Sequence, residues 1–171
     1  MSETIVNKVA SSVLVNFDLE DYIPKGTRTF IDLSQWLEEG FLLREKPFRD
    51  ALKEHDWEKY NDHFVALGSS TEAILPAWAT LLVTSYLQPV CKIIVLGSLQ
   101  DLEQQLYRQM LSTLDLAPFE GKPIMIKGCS DKTIPQDAYI LLVQRLQTVA
   151  KSLFYGEACS YVPLWKAKKT Q

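Results

Sequence analysis

The sequence predicts a single-domain α/β fold. Helices cover both faces of one mainly parallel sheet in a three-layer arrangement, entered through an N-terminal β-hairpin and short helices. Three observations carry this expectation. Four apolar runs end at glycine, at positions 64–68, 93–97, 124–128 and 153–156. Serine or cysteine follows each one, in Gly68-Ser69-Ser70, Gly97-Ser98, Gly128-Cys129-Ser130 and Gly156-Glu157-Ala158-Cys159-Ser160. Helical patterns separate the runs, and strand–helix–strand alternation implies parallel pairing through right-handed crossovers. The length of 171 residues suits one domain. It divides into a preface over 1–60, a parallel βα core over 61–160 and a tail over 161–171.

The elements follow from local signals. Alternating runs at 12–17 and 27–31 read as strands, and the Pro24-Lys25-Gly26 turn between them predicts a hairpin. A short helix over 34–39 stops at Gly40, and another over 47–55 starts at Pro47. A strand at 63–68 leads into a loop over 69–75, because Pro76 falls too late for the first turn of a helix begun at Ser70. After the strand at 92–97, Ser98 and Asp101 have the spacing of an acidic capping box. Leu99, Leu102, Leu106 and Met110 then share one helical face. After the strand at 123–128, Thr133, Pro135 and Gln136 signal a helix start, and Tyr139, Leu142, Leu146 and Val149 form its buried stripe. The strand at 152–156 closes the core.

Composition narrows the function classes. Net charge is −3, so no basic footprint for nucleic acid exists at the level of the chain. The first residues lack the cationic start, apolar run and small-residue cleavage site of a signal peptide. The longest mostly apolar stretch, 73–87, is interrupted by Pro76, Thr80, Thr84 and Ser85, and it is shorter than the ~20 residues of a membrane span. The expectation is a cytoplasmic protein with no membrane partner, whose three cysteines are thiols rather than a disulfide framework.

Strand direction sorts the reactive residues. A strand of six residues spans ~20 Å, so His63 and Cys91, which precede their strands, belong at the opposite edge from Cys129 and Cys159, which follow theirs. Cys91 reads as a small core residue, and His55 as a surface or cap residue. Asp32 is either a helix cap or an active carboxylate. The four tryptophans anchor helices and loops, with Trp165 the most exposed and a marker of a partner surface.

The C-terminal strand edge, where open α/β folds bind ligands, holds the candidate site. Cys129 and Cys159 form a thiol pair suited to a metal, persulfide sulfur or nucleophilic chemistry; packing at strand ends is the alternative. The helix start near Thr133 and the flanking Lys127 and Lys132 favour a thiolate at Cys129, while Asp131 and Glu157 oppose it. Ser69, Ser70, Ser98, Ser130 and Ser160 offer hydroxyls and backbone N–H groups for a small anion. A cysteine nucleophile needs a base within reach, and both histidines lie elsewhere. No nucleophile elbow, Walker loop, dinucleotide fingerprint, zinc-protease motif or Cys-x-x-Cys is present.

Several segments resemble a family of small bacterial proteins known only as a domain of unknown function. They are Phe30-Ile-Asp32-Leu, Trp36-Leu, Arg44-Glu-Lys-Pro-Phe-Arg49, Lys127-Gly-Cys-Ser130 and Gly156-Glu-Ala-Cys-Ser160-Tyr-Val-Pro163. The resemblance spans essentially the whole chain. Ala158 stands where the family usually has proline, which leaves that turn looser. The family's genes often neighbour those for sulfur mobilisation in iron–sulfur cluster assembly. The resemblance therefore implies an accessory protein that holds iron, an iron–sulfur cluster, zinc or persulfide sulfur transiently at Cys129 and Cys159. Iron–sulfur assembly proteins would be its partners. Clusters commonly take four ligands, so a second subunit, as in a homodimer, a partner or a small thiol would complete the set. The alternative is a non-catalytic module that binds a small anion or docks a protein.

Overall fold

The computed structural model describes residues 14–128, 133–157 and 160–168. In chain order these form β1 (Val15–Phe17), β2 (Arg28–Asp32), α1 (Glu45–Glu54), β3 (Phe64–Gly68), α2 (Ala77–Leu87), β4 (Ile93–Leu96) and α3 (Leu99–Ser112). There follow β5 (Pro123–Lys127), α4 (Gln136–Leu146), β6 (Ser152–Glu157) and β7 (Ser160–Lys166), with short 3-10 turns between several elements. The α/β class and the mostly parallel strands are as the sequence predicts. The strands, however, belong to two sheets rather than one, ordered β2-β3-β4 and β1-β5-β6-β7. They fall in two compact units, residues 24–106 and the remainder of the chain.

In the unit over 24–106, β2, β3 and β4 are all parallel. Its central strand is covered on both faces, which explains the continuous apolar run Phe64-Val65-Ala66-Leu67. Val65 and Leu67 pack with Phe48 and Leu52 of α1 and with Ala79, Val83 and Leu87 of α2. The spacing of those α2 residues places them on one helical face. Phe64 and Ala66 meet Leu102 and Leu106 of α3 on the opposite side. Each fully buried side chain of this kind stabilises the fold by about 1.5–3 kcal/mol. The loop before α2 forms as expected, with Pro76 as the residue that caps it.

In the other unit, β1, β5 and β6 run parallel and β7 pairs antiparallel with β6. Phe17, Ile124, Ile126 and Leu153 pack on one side of the sheet with Ala138, Leu142 and Leu146, one stripe of α4, and with Leu111 of α3.

Four expectations are corrected. The N-terminal strands make no hairpin: β1 lies parallel to β5, with Val15 opposite Ile124, and β2 lies parallel to β3, with Arg28 opposite Phe64. A 3-10 turn over Leu19–Tyr22 lies between them, and Phe17 and Ile31 enter different cores. A hairpin needs a tight antiparallel return, and burial of Leu19 together with the Phe17–Tyr22 ring stack turns the chain away from one. The expected tail contains a strand, β7, whose Trp165 packs against the core instead of standing exposed. The short helix after Asp32 is a 3-10 turn over Leu33–Trp36. Finally, α4 starts after Pro135 with no side-chain cap, so Thr133 does not cap it.

Candidate functional site

The edge formed by the C-terminal ends of β1, β5 and β6 is built from residues far apart in sequence. Lys127 pairs in register with Gly156, and neighbouring strands lie about 4.8 Å apart. Asp18 follows β1 and begins the 3-10 turn, its Oδ1 accepting from the Glu20 N–H at 2.9 Å. Its Oδ2 accepts from Lys127 Nζ at 2.7 Å. Asn16, Asp18, Asp21, Met125, Lys127, Gly156 and Glu157 line a cleft of about 310 Å³ here. Tyr155 Oη donates to the Gly128 carbonyl at 3.3 Å and fixes the end of β5 beside β6.

Gly156 is required at this edge. Its φ is +130°, and a Cβ there would collide with the Ser160 carbonyl oxygen of β7. Ser160 opens β7 opposite Glu157 and is exposed. Cys129, Ser130 and Cys159 lie outside the described residues. The residues that lead into the two cysteine segments, Gly128 and Glu157, are at the ends of adjacent parallel strands.

Sequence reasoning named Lys127 and Glu157 only for their effect on a thiol, and it missed Asp18. An acidic residue directly after a strand and before a turn was the available signal, but 109 positions separate Asp18 from Lys127. The Lys127 charge is shared with Asp18.

The C-terminal edge of β2 and β3 is arranged differently. Asp32 stands opposite Gly68. Its Oδ1 accepts from the backbone N–H of Ser34 at 2.9 Å and of Ser70 at 3.0 Å, and its Oδ2 accepts from the Ser70 hydroxyl. Burial pushes the carboxyl upward, but the hydrogen bonds from Ser70 and Ser34 outweigh it and hold the pKa down at about 2. So acidic a carboxylate is a poor base for the Ser70 hydroxyl. Asp32 serves as the cap of the 3-10 turn and as the clasp of the 69–71 loop. Gly68 permits the close approach: a Cβ would lie 2.9 Å from the Phe30 ring and 3.0 Å from the Gly97 carbonyl.

The remaining serines at this edge are likewise engaged. Ser69 Oγ lies 3.1 Å from Thr71 Oγ1, which donates to the Gly40 carbonyl at 2.7 Å. Ser98 N and Oγ both donate to Asp101 Oδ2 at 2.7 Å, and the Asp101 N–H returns a bond to Ser98 Oγ at 3.2 Å. This is the expected capping box, and the Ser98 bonds lower the Asp101 pKa. An anion at Ser70 or Ser98 would meet an ionised carboxylate on the donors it needs.

Cys91 and His63 lie at the opposite end of these strands, as their positions before β4 and β3 require. His63 Nδ1 lies 2.9 Å from Thr29 Oγ1. Cys91 packs against the core around Val65, and burial pushes its thiol up to about 11. His55 is the C-cap residue of α1, as the cap reading expects; it is half-buried against Trp36 and Trp57, and its Nε2 lies 3.1 Å from Tyr60 Oη. Burial, followed by the nearby Lys59, lowers its pKa. Among the described residues no group of three or more His, Cys, Asp or Glu side chains could hold a metal. Among them, too, no helix is long and apolar enough to cross a membrane.

Residues 3–167 match the family described as a protein of unknown function, DUF2480. The chain belongs to that family. The match takes in both strand edges and both cysteine segments. No curated protein and no solved structure matches the chain.

Proposed function

We propose that the edge of β5 and β6 handles a thiophilic metal or sulfur through Cys129 and Cys159, as an accessory step in iron–sulfur cluster assembly. One observation carries this reading: β5 and β6 are adjacent and parallel, with Lys127 opposite Gly156. The described residues next to each cysteine therefore end at one edge of one sheet. The cleft beside them supports the same reading. The Met125 thioether is a soft donor, and the Lys127 ammonium favours thiolates, a persulfide anion or a thiolate-bound cluster of net negative charge. Iron, a cluster or zinc would be held by the two thiolates, with the remaining ligands from a second copy, a partner or a small thiol. The chemistry supplied is metal or sulfur carriage, not turnover by a base-activated nucleophile.

The test is an anaerobic titration of ferrous iron or zinc into the reduced chain and its Cys129→Ser, Cys159→Ser and Cys91→Ser variants. The reading expects one class of site, lost in either of the first two variants and retained in the third. Absence of binding in the native chain, or binding that persists without both cysteines, overturns it.

A further inference from the structure

A groove lies in the unit of β1, β5, β6 and β7, on its helical side. The last turn of α3 and the C-terminal half of α4 border a groove of about 320 Å³, lined by Arg108, Leu111, Leu116, Leu141 and Arg145 among others. Small-ligand pockets begin near 300 Å³. Leu111 is buried, and Leu116 and Leu141 pack at the margin of the core, so the floor is apolar. Both charges on the wall are positive.

The two guanidinium groups differ. Arg108 Nη2 is 3.1 Å from Asp137 Oδ2 and largely neutralised. Arg145 Nη2 donates to the Leu114 carbonyl at 2.9 Å, but its Nε is buried and meets no acceptor. No carboxylate among the described residues pairs with Arg145, whereas Arg28, Arg44, Arg49 and Arg108 each have one. A half-buried guanidinium without a counter-charge is costly, and its planar fork matches a carboxylate.

We propose that this groove binds a small monocarboxylate with a short aliphatic chain. Arg145 takes the carboxylate, and Leu111, Leu116 and Leu141 cover the aliphatic body. The charge and volume of this groove are independent of the thiols at the β5–β6 edge.

Titration of isotope-labelled full-length chain with hexanoate, hexan-1-ol and inorganic phosphate, followed by amide shifts, tests it. Hexanoate shifts Leu116, Leu141 and Thr148. Hexan-1-ol, without the charge, and phosphate, without the aliphatic body, bind at least about tenfold more weakly. Arg145→Gln weakens hexanoate by roughly tenfold or more. The comparison of ligands on the native chain decides the matter even if that variant does not fold. Absence of hexanoate shifts at these residues, equal binding of hexan-1-ol or phosphate, or unchanged affinity in a folded Arg145→Gln chain overturns the proposal.

Discussion

The edge of β2 and β3 and the edge of β5 and β6 have the same construction: parallel strands, glycine near the strand end and polar residues beyond. They differ in what those polar groups do. At the first, Asp32 consumes the donors of Ser34 and Ser70, and Asp101 consumes those of Ser98. At the second, the Asp18–Lys127 pair stands in a cleft that also holds Asp21 and Glu157. The sheet edge alone is therefore not a functional signal. An edge whose hydrogen bonds close on themselves is a structural clasp, and one that leaves charged groups around an open volume is a candidate for a site.

The largest effect that would sharpen this contrast is expected at Gly156. A Gly156→Val chain places a β-branched side chain at φ +130° and against the β7 backbone. It should lose roughly 2–4 kcal/mol of stability by urea unfolding. A loss below about 1 kcal/mol would mean that β7 is free to shift away from β6.

Removing the clasp comes next. Asp32→Ala strips two backbone N–H groups and the Ser70 hydroxyl of their acceptor, at an expected cost of about 1–2 kcal/mol in the same measurement. The acid limb of a stability–pH curve reads the same carboxylate. Its folded pKa lies near 2, below the ordinary 3.8, so its stabilisation is present above about pH 4 and is lost as pH falls toward 2. Asp32→Ala should flatten the curve in that window, and an unaltered acid limb would show that the hydrogen bonds are not made in solution.

Lys127→Met should cost under about 1 kcal/mol, because the Lys127 side chain is 43% exposed and an exposed ion pair contributes little. A much larger loss would make the Asp18–Lys127 pair a clasp like Asp32 and erase the difference between the edges.

The parallel strands were legible because apolar runs and helical stripes are local patterns. Strand partnership was not. β1 joins β5 across more than a hundred residues, and nothing in Val15-Asn16-Phe17 distinguishes that partner from β2. The same non-locality hid Asp18 from Lys127. β7 was missed because Pro163 interrupts its ladder donors and its residues are mostly exposed, a pattern that reads as a tail. The cap position of His55 was legible, but its aromatic surroundings were not, because they come from Trp36, Trp57 and Tyr60, which the turns gather but no spacing rule connects. By contrast, the Ser98–Asp101 capping box was readable because both partners lie within one turn.

The most direct measurement of the central claim is bifunctional thiol cross-linking of the native, reduced chain with a short reagent such as dibromobimane, followed by peptide mapping. The account predicts a Cys129–Cys159 cross-linked peptide within single chains, with Cys91 unmodified because its thiol is partly buried and its pKa stands near 11. Separate labelling of Cys129 and Cys159 with no joined peptide, or preferential modification of Cys91, would contradict it.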